Sequence, residues 1–326
     1  MNTAVLTGLP QRAWWPWAMR GLAVLFVGFI GTMLYQYARD IEWSRVDDAV
    51  RALPGPVLAT AAALAAASHL LYSTFDLLGR HYTGHKLSAP TVMGITFTSY
   101  AFNLNLGSIV GGVGLRYRLY SRLGLRGGTI TRVLSMSLLT NWLGFLLLAG
   151  AVFALFPLPL PDGWKIGNGA LRIAGFALLA AAVAWGALVT LSRRREFTIA
   201  GKRFPLPGPR MTLLQLGMSV ANWMLIAAVI WVLLQGKVAY ATVLAVYLLA
   251  AIAGVVTYIP AGLGVLEAVF VTMLAHKVGE PQLLAALLAY RAVYYLGPLL
   301  VAALMYAVME MRARRGNGSD TDNRFA

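Results

Sequence analysis

Glu267 and Arg291 lie inside apolar runs, 259-IPAGLGVLEAVF-270 and 289-AYRAVYYLGPLL-300. A charge at the centre of a membrane span costs roughly 2.5–3.5 kcal/mol or more, so such residues face the interior of a bundle. Two chemistries fit the pair. In one, Arg291 binds a lipid phosphate or pairs with Glu267, and Glu267 takes up a proton or a cation. In the other, the two form a structural ion pair. Arg116 and Arg118 follow a glycine-rich stretch, 111-GGVGLRYR-118, and could also reach a phosphate. Asn103, Asn105, Asn141, Asn222 and Tyr258 are polar groups at membrane depth, where interhelical hydrogen bonding is the default role. Asn103 and Asn105 stand out because they lie beside the glycines. Asp76, near the end of an apolar run, reads as a solvated end residue.

Other chemistries find little support. His69, His81, His85 and His276 have no metal-ligand spacing, and no HExxH is present. No GxxxxGK[ST] loop is present either, which argues against direct use of ATP. A membrane-embedded lipid enzyme would need clustered carboxylates for a metal, or a His–Asp pair. The 12 acidic residues are scattered, so neither an enzyme nor a metal or other cofactor is expected. Without cysteine, disulfides and thiolate metal sites are excluded.

These residues must be positioned by a membrane-spanning scaffold. The 326-residue chain is 59% hydrophobic and 12% charged, with mean hydropathy +0.69. Soluble domains carry about 25% charged residues. Runs such as 21-GLAVLFVGFIGTMLYQY-37 and 216-LGMSVANWMLIAAVIWVLL-234 are close to the ~20 residues a span needs. The first is read as a retained span rather than a signal peptide, after a Trp14-Trp15-Pro16-Trp17 interfacial anchor. Full spans are predicted at 20–37, 54–77, 132–156, 169–191, 212–234 and 282–309. The net charge of +15 does not point to nucleic acid, because the basic residues flank apolar spans. Such loops set topology and attract anionic head groups.

Two apolar regions, 89–126 and 240–276, are interrupted by glycines. Basic residues at 192–210, at the C-terminus and at 80–86 belong in the cytoplasm, while 157–169 suits the periplasm. If 89–107 crossed completely, the arginines of 115–132 would be periplasmic, against the positive-inside rule. A re-entrant hairpin that breaks near Gly107–Gly114 returns them to the cytoplasm. Leu115, Leu119 and Leu123 recur at i+4, as in an interfacial half-helix, with Arg122 and Arg126 contacting anionic lipid at its surface. The second region breaks at Pro260-Ala261-Gly262-Leu263-Gly264 and begins and ends on the periplasmic side.

The two breaks can be superimposed. Gly262 lies 150 residues after Gly112, and the same offset nearly superimposes the spans. Each half reads span, span, broken hairpin, span. Three crossings per half invert the second half, which is the inverted-topology repeat of secondary transporters. The expected fold is thus an all-α polytopic membrane protein, with six full spans plus two re-entrant half-helix hairpins. Residues 1–19 form an interfacial segment, 20–310 one transmembrane domain with halves 20–157 and 170–307, and 311–326 a disordered cytoplasmic tail. Unwound backbone in hydrocarbon survives only where protein or a watery cavity solvates it. Half-helices starting near Gly114 and Gly264 would aim free N–H groups and positive dipole ends into a central cavity, favouring a phosphate.

The pattern Gly-Gly-x-Gly-x-Arg at 111–116, then 259-IPAGLGVLEAVF-270, then 290-YRAVYYLGP-298, resembles the membrane region of bacterial lysylphosphatidylglycerol synthetase/flippases. It also resembles the stand-alone inner-membrane proteins grouped with them. The resemblance extends from about residue 20 to 310. It implies a flippase-like domain that moves phospholipid or a lipid-linked substrate between leaflets. The positions it implicates are Gly112, Gly114 and Arg116, then Pro260, Gly262, Gly264 and Glu267, then Tyr290, Arg291 and Pro298. The soluble aminoacyl-transferase domain of the two-part members has no counterpart in 310-EMRARRGNGSDTDNRFA-326.

The expected activity is translocation or binding of an anionic phospholipid or lipid-linked substrate at the bacterial inner membrane, with both termini cytoplasmic. An accessory subunit of a lipid-modifying or envelope-assembly enzyme is the rival reading. A homodimer or a partner enzyme is compatible with either.

Overall fold

A computed structural model describes residues 43–156, 158, 167–192, 196–199, 202–205, 207–257, 259 and 262–322. The chain forms two compact units, Met1–Arg45 and Val46–Ala326, and every element of the helical bundle belongs to the second. The segment 1–19, the expected first span at 20–37, and the site candidates Tyr258 and Pro260 lie outside the described residues.

The bundle is helical apart from a small antiparallel hairpin, β1 (Glu196–Ile199) with β2 (Lys202–Pro205). Helix α1 runs over Gly55–Thr83 with a joint at Thr74, where it divides into Gly55–Ser73 and Phe75–Thr83. Helix α2 is Ala89–Leu106, and α3 joins a π-helical stretch, Ser108–Gly114, to Leu115–Arg122. Helices α4 (Gly127–Leu155), α5 (Asn168–Leu191) and α6 (Pro209–Leu233) follow. Helix α7 is Tyr240–Thr257 and α8 is Val265–Val278. Helix α9 consists of Glu280–Tyr290, a π-helical stretch Arg291–Leu296, and Gly297–Asp322. Helix thus enters the stretch expected to be a disordered tail. Among the described residues, six helices are long and apolar enough to cross a membrane: α1, α4, α5, α6, α7 and Glu280–Met311 of α9. Five of them coincide with expected spans. The sixth, α7, was expected as one arm of a hairpin.

The two halves share one order of elements, α1-α2-α3-α4 and α6-α7-α8-α9. Helices α2 and α7 are each 18 residues long and start 151 residues apart, at Ala89 and Tyr240. The halves run in opposite senses. The end of α1 (His81, Tyr82) and the start of α6 (Arg210, Met211) line one surface cavity, so these equivalent helices are antiparallel. The start of α4 and the end of α9 also share an end of the bundle, because Arg122, just before α4, reaches Glu310. Hairpin α2–α3 has both its ends there: Gly94 near the start of α2 faces Met305 and Met309 of α9, and Arg118 of α3 faces Tyr306. Leu233, Val238 and Leu283, which flank the ends of hairpin α7–α8, share one core cluster with Leu158 and Leu171.

Without a hydrophobic force between helices in lipid, small residues and polar links hold such a bundle together. A Cβ on Gly144 would fall 2.2 Å from the Ser219 side chain, so only glycine lets α4 approach α6 this closely. Ser68 donates to Asn222 Oδ1 at 2.8 Å, linking α1 to α6. Its single proton being used, Ser68 Oγ must accept from Tyr294 OH, also at 2.8 Å. Tyr294 in turn accepts from Tyr100 OH at 3.1 Å. This directional chain ties α2, α9, α1 and α6 at mid-bundle.

Candidate functional site

The two hairpin turns meet. A cavity of about 290 Å³ lies between them, with Asn103 and Ser108 on one side and Gly262, Val265 and Leu266 on the other. Trp223, Tyr247 and Tyr295 form its walls. Gly107 turns the first hairpin with φ 84°, and Gly264 caps α8 with φ 77°, conformations that disfavour side chains. The N-termini of α3 and α8, with their unsatisfied N–H groups, therefore start at this cavity.

The turn at Gly107 lies within the expected break, Gly107–Gly114, but the returning helix starts earlier than expected. Gly114 is helical, at φ −59° and ψ −45°, and α3 starts six residues earlier at Ser108. Gly111 and Gly112 serve close packing instead. A Cβ on Gly111 would fall 2.3 Å from the Asn103 backbone nitrogen, and one on Gly112 2.8 Å from Asn103 Oδ1. The glycines let the returning arm lie directly on α2. Asn105 donates from Nδ2 to the carbonyls of Ala101 (2.8 Å) and Tyr295 (3.3 Å), so it secures the hairpin to α9.

Glu267 and Arg291 form an ion pair, an arrangement that both roles considered for them allow. Arg291 donates from Nε to Glu267 Oε1 and from Nη2 to Oε2 at 2.9 Å. The same Nη2 donates to the Gly262 carbonyl at 3.1 Å, and the guanidinium sits 5.4 Å from the Tyr295 ring centroid. Arg291 therefore clamps the second turn against α9. Tyr290, one residue earlier, is buried in a stack with Tyr294, centroids 5.4 Å apart. Pro298 lies away from the cavity, in a groove between α1, α2 and α9.

Arg116 and Asp76 were not expected to meet. Arg116 is 3% exposed and Asp76 0%, and Arg116 Nε lies 3.2 Å from Asp76 Oδ2. Tyr120 donates to the same carboxylate oxygen at 3.0 Å. Asp76 is therefore a buried anchor for hairpin α2–α3 rather than a solvated end residue. The sequence signal was available: a buried acid on one helix needs a cation at equal depth, and Arg116 occupies that depth. Arg118 and Arg122 both pair with Glu310 of α9, at 3.4 Å and, through Arg122 Nη2, at 3.1 Å. Beside this cluster, in the loop after α1, burial and then Arg80 hold His85 below the usual histidine range.

This architecture has known counterparts. A family model for the lysylphosphatidylglycerol synthase TM region matches residues 19–302. The chain belongs to this family. Inner membrane protein YbhN of Escherichia coli is 44% identical, over 92% of this chain and 95% of that one. The Synechocystis protein slr0712 is 30% identical, over 92% and 94% of the two chains. A phosphatidylglycerol lysyltransferase of Staphylococcus haemolyticus is 25% identical over 87% of this chain, but over only 33% of its own length. The match thus takes in about a third of that longer protein. The inner-membrane relative and the six apolar helices support a multi-pass inner-membrane location.

Proposed function

We propose that this protein moves an anionic phospholipid or a lipid-linked substrate between the leaflets of the inner membrane. The observation that carries the reading is the meeting of two opposed hairpin turns at one cavity, each turn supplying a helix N-terminus. Both hairpins are re-entrant, α2–α3 from the cytoplasm and α7–α8 from the periplasm, and both chain termini are cytoplasmic. The lipid phosphate binds between the N-termini of α3 and α8, near Asn103, Gly262 and Gly264, where N–H groups and helix dipoles favour an anion. Arg291 and Glu267 position the second turn, and Arg116 and Arg118 hold the first hairpin. Rocking one half against the other exposes the cavity to each side in turn. The phosphatidylglycerol in the name of the staphylococcal relative supports an anionic phospholipid as substrate. Transport fits better than catalysis because Asp76, Glu267 and Glu310 are each engaged by arginine, which suits latches rather than acid–base groups.

Reconstitution tests the activity. Proteoliposomes containing labelled phosphatidylglycerol are expected to lose nearly all fluorescence to external dithionite, against about half in protein-free vesicles, because the inner-leaflet label is brought out. Wild-type protein that leaves the protected half intact for phosphatidylglycerol and for the other anionic phospholipids would overturn the reading.

The hairpins have their own test, helped by a chain without cysteine. In Arg118→Cys a membrane-impermeant maleimide is expected to react only from the cytoplasmic side, and in Lys277→Cys only from the periplasmic side. Labelling of both from one side sinks the opposed-hairpin topology.

A further inference from the structure

A larger cavity than the one between the turns lies elsewhere in the bundle. It is a groove of about 870 Å³ between α1, α2 and α9, open along its length to the surroundings of the bundle. Its wall is apolar, including Ala62, Met93, Phe97, Val301 and Met305, and Leu70 and Val301 on its rim are 61% and 50% exposed. Along α1 it extends from Ala62 to Ser73. At 1.5 Å per residue that is about 16 Å, close to one leaflet of a ~30 Å hydrocarbon core. Its other walls begin at Pro90 and end at Met305, at the pole of the bundle where Glu310 sits. A cleft of this shape, facing hydrocarbon and lined by small residues, fits one extended acyl chain.

One polar ring interrupts the apolar wall. His69 lines the groove and is 1% exposed, packed on Phe97, Tyr100 and Tyr294. Its Nδ1 lies 3.0 Å from the Ala65 carbonyl, which can only accept, so Nδ1 carries the proton. In the neutral ring Nε2 then holds a lone pair, and among the described residues it has no partner. A buried acceptor left unmatched costs free energy that a ligand with a donor would recover. The other polar side chain on the groove, Ser73, already donates its hydroxyl to the His69 carbonyl at 2.6 Å.

We propose that this groove holds one acyl chain of a phospholipid, and that His69 Nε2 accepts a hydrogen bond from a hydroxyl or ammonium on the same lipid's head group. The proposal rests on the lipid-handling reading above and narrows its substrate class. It selects lipids whose head group carries a donor beyond the phosphate, and leaves those without one at a disadvantage. Because His69 is at the middle of α1 while the groove reaches the pole, the head group meets His69 only at mid-membrane depth, as it would in passage.

Native mass spectrometry of the full-length protein in detergent tests this, read with dioleoyl phosphatidylglycerol and dioleoyl phosphatidylmethanol. The two carry equal charge, and only the first has head-group hydroxyls. Wild type is expected to bind one phosphatidylglycerol about fivefold tighter than phosphatidylmethanol, the size of one neutral hydrogen bond. Gly94→Phe is expected to lose that bound lipid, since the groove fills while the nearest atoms to a new Cβ are the flexible ends of Met309 and Met305. His69→Phe should keep one bound lipid but lose the fivefold preference, and His69→Gln, which retains an acceptor, should restore part of it. Equal affinities in wild type, or a preference that survives His69→Phe, overturns the role of His69. Lipid binding unchanged in Gly94→Phe overturns the groove. These readouts need no transport, so an inactive proteoliposome with intact groove binding would fail the transport reading alone.

Discussion

Asp76→Ala is expected to destabilise the protein by about 3–5 kcal/mol, the loss typical when one partner of a buried ion pair is removed. The cause is less the missing attraction than the charge left behind. Arg116 is 3% exposed, and its neighbours are Tyr72 and Tyr120. Neither ring can replace a carboxylate, and the hairpin cannot carry the guanidinium to water without lifting α3 off α1. Arg116→Met should cost less, because Asp76 keeps the Tyr120 hydroxyl as a donor. The double variant Asp76→Leu/Arg116→Met should recover much of the loss, as apolar replacements of buried pairs often do. Thermal unfolding in detergent measures all three. A double variant no better than Asp76→Ala would show that the pair itself, rather than the orphaned charge, holds the hairpin.

Arg291→Met is expected to reduce lipid movement at least tenfold while leaving the bundle folded. Arg291 bonds both oxygens of Glu267 and also the Gly262 carbonyl, so one side chain fixes the turn that opens onto the cavity. Removing it frees that turn and strands Glu267, which is 13% exposed. Arg291→Lys keeps the charge but lacks the planar fork that reaches carboxylate and carbonyl together, so it should recover only part of the rate. Glu267→Gln retains a hydrogen-bonding partner and should lie between wild type and Arg291→Met. Rates from the dithionite assay, set beside melting temperatures, separate a loosened turn from a lost fold. Full activity in Arg291→Met would show that the clamp is not needed.

The scaffold was largely legible. Apolar runs near 20 residues locate α1, α4, α5, α6 and α9. What was illegible follows from glycine having two uses. Gly107 supplies a positive φ, whereas Gly111 and Gly112 supply closeness to α2, and a glycine cluster alone does not say which use applies where. The expected half-helix start near Gly114 therefore falls within the helix that follows the Gly107 turn. Asp76 was misjudged because its depth was counted along α1 alone. Its partner is 40 residues away on an arm whose path depends on that same turn. His69 carried no motif at all. Its significance comes from a bond spent on Ala65 and a groove built from three separate helices.

The π-helical stretch Arg291–Leu296 has a mechanical corollary. A π turn holds about one more residue than an α turn, so it stores a slack of one residue within α9. If that slack were drawn out, the segment after Gly297 would swivel by about 100° relative to Glu280–Tyr290, the angle that one residue subtends in an α-helix. Glu310 would swing away from Arg118 and Arg122, and the Tyr295 carbonyl would leave Asn105. With that slack drawn out, helix α9 would work as a crankshaft with one movable throw. The second hairpin is fastened at the throw, through Arg291, and the first beyond it, through Glu310, so a single rotation could loosen one while the other stays gripped.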